Sequence, residues 1–256
     1  MDDPKTHLIW PKSSQLFQGS EKTPMTESAQ DVFARIYNLD TWTLGSGPGS
    51  VAAANKPFTR LLESFIRENS VESIVDFGCG DWQYMSSVDL QKATYIGFDV
   101  VASVLSQNRQ LYSRPNVCFE RSPSDLEDLP TADLLLIKDV LIHLPNAFVA
   151  KLMECAQRKY KFILTVNNRT GNAREYNVDI QPGSFRPVDL ARPPFSIPCA
   201  TILHYGRLRI LDPRLPAPLA FALRRHVWPG IKHVQLVIGS HDRSQPNPNA
   251  RTNPHT

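Results

Sequence analysis

Residues 73–81 read Ser-Ile-Val-Asp-Phe-Gly-Cys-Gly-Asp, an apolar run that meets an acid and then two glycines spaced by one residue. A strand ending in such a turn is a ligand-cradling edge. Gly78 and Gly80 stand where an open α/β sheet binds its ligand, at the carboxyl end of a strand, and glycine lets the backbone take positive φ or approach a ligand closely. Asp76 narrows the choice of ligand. A dinucleotide-binding turn sets a pyrophosphate against this loop, where a carboxylate just before the first glycine would repel it; the same carboxylate suits a ligand carrying positive charge. The third glycine of G-x-G-x-x-G is also missing, since position 83 is Gln83.

Outward from this turn the chain alternates strand and helix. Strands are expected at 73–77, 94–99, 116–120, 132–138 and 161–166, and helices at 31–38, 56–69, 101–112 and 146–158. The second helix carries Phe58, Leu61, Leu62, Phe65 and Ile66 on one face. Ala132-Asp-Leu-Leu-Leu-Ile-Lys138 has the apolar run of a strand in the middle of a parallel sheet. The alternation predicts an α/β, doubly wound sheet. After Asn167 the rhythm breaks. Nine prolines fall between Pro182 and Pro229, so about 168–230 is expected to form loops with short elements that wall a substrate site, before a last strand at 233–238. Residues 1–30 read as a loosely ordered arm, 31–239 as one domain, and 240–256 as a disordered tail.

With 256 residues and 41% hydrophobic content, the chain can bury the core of one ordinary domain. Cys79, Cys118, Cys155 and Cys199 are scattered, without a C-x-x-C or a secretory segment, which predicts reduced thiols in a cytoplasmic protein. No apolar run approaches the roughly 20 residues that span a bilayer. The net charge of +3 is unevenly placed: residues 1–185 carry 18 basic and 22 acidic side chains, and residues 186–256 carry 10 and 3. That basic C-terminal part suits an anionic acceptor or an acidic partner surface. Basic runs interleaved with aromatics are lacking, which argues against nucleic acid.

Asp99 ends the second strand about 20 residues past the glycine turn, where a carboxylate accepts hydrogen bonds from ribose hydroxyls. Asp125 lies just past the third strand, placed to receive an adenine amino group, in a stretch that equally suits a solvated turn. Together these residues resemble the class I S-adenosylmethionine-dependent methyltransferases over roughly residues 31–170. The matching pieces are Val75-Asp-Phe-Gly-Cys-Gly80, Tyr95-Ile-Gly-Phe-Asp99 and the stretch 129–145 around the fourth strand. Ser46-Gly-Pro-Gly-Ser50 and Lys138-Asp-Val-Leu-Ile-His-Leu144 look more narrowly like small bacterial methyltransferases of sugars, polysaccharides and secondary metabolites. The resemblance implies a Rossmann-like sheet of about seven strands in the order 3-2-1-4-5-7-6, with an N-terminal helical lid. S-adenosylmethionine would lie across strands one, two and four. Asp76, Gly78 and Gly80 would face its amino-acid part, Asp99 its ribose and Asp125 its base, with Lys138 counted among the donor-side residues. Trp82 stands where the first motif often has a third glycine, so that position is assigned to the acceptor or to the wall of the donor site.

Methyl transfer to a hydroxyl needs the acceptor's proton taken. His143 is the candidate base, because an imidazole accepts a proton at neutral pH. Asp139, four residues earlier, would share a helix face with it and orient the ring. A metal site built from Asp139, His143 and Asp179 or Asp189 is the lesser alternative, and no metal is expected. The glycines at 45–50 read as a lid over the donor, or as a plain connector. Tyr176 and Arg186 are assigned to the acceptor mouth, where Arg186 would pair a carboxylate or phosphate. Arg192-Pro-Pro-Phe195 and Pro198-Cys199 resemble catalytic motifs of other methyltransferases but stand in the wrong place in the chain. The sequence thus predicts transfer of a methyl group from S-adenosylmethionine to a small polar acceptor, a hydroxyl of a sugar or related metabolite. The rivals are a nicotinamide-dependent oxidoreductase, against which Asp76 argues, and a methyltransferase-like binding protein without catalysis.

Overall fold

The computed structural model describes residues 52–206 and 231–240, together with positions 32, 33 and 35, which are helical. The expected arm at 1–30, the rest of the first helix, the glycine loop at 45–50, the stretch 207–230 and the tail from 241 lie outside the described residues. In chain order the elements are α1 (Ala52–Glu68), β1 (Ser73–Phe77), β2 (Thr94–Asp99), α2 (Ala102–Tyr112), β3 (Val117–Arg121), β4 (Ala132–Lys138), α3 (Asn146–Lys159), β5 (Tyr160–Asn168), β6 (Ala200–Tyr205) and β7 (Lys232–Ile238).

The strands form one sheet in the order β3-β2-β1-β4-β5-β7-β6, the order expected. β1 to β5 run parallel, and β7 enters antiparallel between β5 and β6. All seven residues of β4 are buried, as a strand covered on both faces requires. The entry of β1 is tied to β4 by Asp133, whose Oδ2 accepts from the Glu72 and Ser73 amides at 2.8 and 3.0 Å and from the Ser73 hydroxyl at 3.0 Å. That tie fixes the register that brings the glycine turn level with the end of β4.

Alternation along the strands splits the core in two. Ile74, Tyr95, Leu134, Leu136, Leu164 and Val234 face Phe58, Leu62, Phe65 and Ile66 of α1. Val75, Phe98, Leu135, Ile137, Ile163 and Val237 face Val149, Leu152 and Met153 of α3. Burial of each large apolar side chain contributes roughly 1.5–3 kcal/mol, so these two seams hold the helices to the sheet. By the same alternation Asp76 and Lys138 lie on the α1 face of the sheet.

β6 is one of the short elements expected within 168–230; only its last residue, Tyr205, is buried, so no alternation marks its bounds. Two expectations are corrected. α1 begins four residues earlier than its apolar stripe suggests and contains Pro57; Ala52, Ala53 and Ala54 favour helix strongly enough to extend it ahead of the proline. Ser240, placed in the tail, docks on α3, its amide and hydroxyl donating to the Gln157 carbonyl at 2.7 and 3.0 Å.

Candidate functional site

The turn after β1 needs its glycines. Gly78 has φ +77° and Gly80 φ +55°, and a Cβ on Gly78 would lie 2.4 Å from Val140 Cγ2, so a side chain there collides with the residue that follows β4 and Asp139. The Gly78 and Cys79 amides donate to the Phe98 carbonyl at 2.8 and 2.9 Å, which sews the turn to β2. Asp99, at the end of β2, accepts from the Gly80 amide and the Val101 amide at 3.0 Å each. Asn108 of α2 closes the turn from behind, donating to the Gly80 carbonyl at 2.7 Å. Burial raises the Asp99 carboxyl, against the pull of those amides.

Asp76 is 1% exposed. Its Oδ2 accepts from the Tyr95 hydroxyl at 2.6 Å, and its Oδ1 has no hydrogen-bond partner among the described residues. Burial pushes its carboxyl up to about 7, opposed by the Tyr95 hydrogen bond and by the charge of Lys138. A buried carboxylate oxygen without a partner is costly, and here it stands two residues ahead of the glycine turn.

Beside it lies a buried ionic cluster that the sequence did not reveal. The Lys138 ammonium donates to Asp139 Oδ2 at 2.6 Å and sits 4.9 Å from the centre of the Tyr84 ring. Lys232, at the start of β7, donates to Asp139 Oδ1 and to Asn168 Oδ1. Burial would raise the Asp139 carboxyl, but the two ammonium groups outweigh it and hold the acid at about 2; burial draws Lys232 down to about 8 against the pull of Asp139. Asp139 itself takes φ +60°, a left-handed conformation that costs a non-glycine residue about 1–3 kcal/mol and tends to be kept at functional sites. No local signal marks Lys232. It meets Asp139 only because the antiparallel register sets it opposite Asn168.

His143 closes a short 3₁₀ turn, Leu141–His143. Its Nδ1 lies 2.8 Å from the Ser184 carbonyl, so Nδ1 carries the hydrogen and Nε2 the lone pair. Burial lowers its pKa to about 4, and the ring is neutral at pH 7. The expected dyad is corrected here. The left-handed Asp139 breaks any shared helix, both its oxygens are taken by lysines on the α1 face, and the partner that orients the imidazole is Ser184.

Three further assignments change. Trp82 is 1% exposed and packs against Tyr95, Tyr112 and Phe119 at centroid distances of 5.5, 5.1 and 5.4 Å; it is a core residue and offers no face to an acceptor. Arg186 is also buried. Its guanidinium donates to the Leu141 carbonyl at 2.6 Å and to Asn146 Oδ1 at 2.8 Å, so it pins the His143 turn to the start of α3 and is not open to a ligand. Asp125 is exposed and caps its own turn, accepting from the Glu127 amide at 3.1 Å.

Tyr176 lines a cavity of about 320 Å³ with Arg169, Asp189, Arg192, His204 and His233. It opens where β5 and β6 end and β7 begins, beyond β4 from the glycine turn. Among the described residues no group of three or more His, Cys, Asp or Glu is arranged to hold a metal ion, and no helix is long and apolar enough to cross a membrane.

No family model matches the chain, and no curated protein matches it. Among solved structures it resembles magnesium protoporphyrin IX methyltransferase from Synechocystis PCC 6803 with bound SAM, at 12% identity over 85% of this chain and 100% of that one, with a TM-score of 0.54. A SAM-dependent methyltransferase from Anabaena variabilis is similar at 12% identity, over 83% of this chain and 96% of that one, also with a TM-score of 0.54. At such identity the likeness is one of fold: this chain has the Rossmann-like architecture of SAM-dependent methyltransferases.

Proposed function

We propose that the chain is an S-adenosylmethionine-dependent methyltransferase whose acceptor is a small polar molecule, methylated on a hydroxyl oxygen as in a sugar or related metabolite. The observation that carries this reading is Asp76. Its partnerless, buried Oδ1 stands next to a turn that a single Cβ would fill, which fits a cationic amino-acid head and opposes a pyrophosphate. The rest of the edge fits the same ligand. Gly78 and Gly80 let the backbone close on it, Asp99 has lone pairs left for ribose hydroxyls, and Lys138 supplies a positive charge for a carboxylate.

S-adenosylmethionine, when bound, supplies a methyl group already activated on a sulfonium. The protein then has to place an acceptor oxygen in line and keep water out, an effect worth up to about 7–11 kcal/mol. His143 takes the hydroxyl proton on Nε2, while the Ser184 carbonyl, which accepts from Nδ1, orients the ring with Nε2 as its basic nitrogen. Asp139 serves the donor side, where it holds the two lysines. The four cysteines are unpaired, which suits the reducing cytoplasm.

Calorimetry with S-adenosylhomocysteine and with NAD tests the reading. Binding of S-adenosylhomocysteine alone is expected; binding of NAD alone overturns the proposal. A mass-spectrometric search of small-metabolite mixtures for products heavier by one methyl then identifies the acceptor.

A further inference from the structure

The cavity beside Tyr176 is built by side chains from four places in the chain. Arg169 follows β5, Arg192 comes from the proline-rich stretch, His204 from β6 and His233 from β7. Their hydrogen-bonding capacity is unequally spent. Arg192 is held by Asp189 Oδ2, which accepts from its Nε at 3.0 Å, and lies 4.9 Å over the Tyr176 ring; its two terminal nitrogens make no hydrogen bond among the described residues. The Arg169 guanidinium makes one long contact among the described residues, Nη1 to His204 Nε2 at 3.5 Å, which leaves the hydrogen of His204 on Nδ1.

The acceptor atoms, by contrast, are engaged. Asp189 Oδ1 accepts from the Gln235 side chain at 2.8 Å and from the Ala191 amide at 3.1 Å. The Tyr176 hydroxyl accepts from the Thr170 amide and donates to the Thr170 carbonyl. Glu175, which touches the cavity wall through Thr170, accepts from Thr170 Oγ1 and from the Asn172 side-chain Nδ2. His233 donates from Nε2 to the Val188 carbonyl at 2.7 Å and keeps one lone pair on Nδ1. Several N–H donors, two of them on the terminal nitrogens of a guanidinium fixed by stacking and by a carboxylate, therefore line the cavity together with the His233 Nδ1 lone pair and the Thr201 hydroxyl.

Position ties the cavity to the chemistry. The loop that walls it also holds His143: the Gly183 amide donates to the His143 carbonyl at 2.9 Å, and Asn177 of the same loop donates through its side chain to the Asp189 carbonyl at 2.8 Å. Strands lie about 4.8 Å apart, so a cavity spanning the ends of β5, β7 and β6 begins one strand spacing from the end of β4. An acceptor anchored there by one end can present its other end near His143.

We infer that this cavity is the acceptor's anchoring subsite and takes an anionic oxygen group, a carboxylate or phosphate, so that the acceptor is an acidic or phosphorylated hydroxy compound. A fixed guanidinium whose two terminal nitrogens make no hydrogen bond among the described residues matches the paired oxygens of either group, and the lone pair of His233 can take a hydrogen from a monoprotonated phosphate or from a neighbouring hydroxyl. This rests on the methyltransferase reading, and Arg192 replaces the corrected Arg186 as the residue that meets the anion.

The test uses the full chain saturated with S-adenosylhomocysteine, with inorganic phosphate and acetate as separate probes and the imidazole resonances of His204 and His233 as the readout. Saturable shifts are expected with at least one probe, and the probe that binds more tightly distinguishes phosphate from carboxylate. Arg192→Gln should weaken that binding about tenfold, and Arg169→Gln should weaken it as well, with S-adenosylhomocysteine affinity unchanged in both. Arg158→Gln, on the exposed face of α3, should leave it alone. The inference is overturned if neither probe gives saturable shifts, or if the shifts are the same in Arg192→Gln. Failure of the underlying reading would show separately, as absence of S-adenosylhomocysteine binding.

Discussion

At the scale of single residues, Asp76 combines two demands that pull against each other. An ionised carboxylate 1% exposed with one oxygen unpartnered destabilises the empty protein, yet the ionised form is the one that attracts a cation. Its folded pKa of about 7 lies above the ordinary 3.8. The sign follows from that order. Below about pH 4 the group is protonated in both states and costs nothing; between 4 and 7 the unfolded chain gives up its proton while the folded one keeps it, and stability falls as pH rises. Asp76→Asn should therefore raise the thermal midpoint of the ligand-free protein, by more at pH 8 than at pH 5, with a gain in unfolding free energy at pH 8 on the order of a few kcal/mol. The same substitution should weaken S-adenosylhomocysteine binding, and in the unmodified protein that affinity should fall by up to about tenfold per pH unit below 7. Equal midpoint gains at both pH values would refute the assignment. Much of this was legible in the sequence, because an acid ahead of two glycines at a strand end has few structural uses. Trp82, two residues past the second glycine, was not, because the same residue type that can wall a ligand also fills a core, and only its contacts with Tyr95, Tyr112 and Phe119 decide.

At the scale of elements, the strands and helices follow from periodicity, and their connections do not. Periodicity reports which face of an element is buried. It is silent about what a loop residue reaches across the fold. Arg186 shows the difference: on the sequence it is a cation in a polar loop, and in the structure it is the bolt between the His143 turn and the first residue of α3. Removing it leaves the Leu141 carbonyl and the Asn146 side chain without their donor. Arg186→Ala should cost about 2–4 kcal/mol in denaturant unfolding, and Arg186→Lys should recover only part, since one ammonium does not reproduce the fork. Because Val140, which starts the turn that Arg186 pins, also packs on Gly78, calorimetry should find S-adenosylhomocysteine affinity weakened by severalfold in Arg186→Ala, as expected of neighbouring sites that share a contact. An unchanged affinity would show that the Val140 contact on Gly78 does not carry the displacement of one turn to the other.

At the scale of the whole molecule, the sheet separates two jobs. Its α1 face carries Asp76 and the Lys138, Asp139 and Lys232 cluster, and the opposite side of the same edge carries His143, the loop around Ser184 and the cavity. Lys232 joins the parts, since it is the bond between the late, antiparallel β7 and the conformationally strained Asp139 that follows β4. Breaking a buried ion pair by removing one partner costs about 3–5 kcal/mol, a large share of the roughly 5–15 kcal/mol that holds a domain folded. Lys232→Met should incur only part of that cost at pH 7: Asp139, held at about 2 by both lysines, keeps its charge with one partner lost, while the burial that draws Lys232 down to about 8 is relieved. The penalty fades with acid: Asp139 contributes stability above its ordinary 3.8 and loses it as pH falls toward 2, so the cost of Lys232→Met should shrink below pH 4. Pairing the substitution with Asp139→Asn removes the stranded charge and should return part of the loss, a coupling that a double-mutant cycle measures directly. Additive losses would mean that β7 is held by its strand pairing and packing alone. Saturating S-adenosylhomocysteine provides an independent check: if Lys232 acts on the fold and not on the donor, a hundredfold excess over Kd should raise both the unmodified protein and Lys232→Met by the same roughly 2.7 kcal/mol.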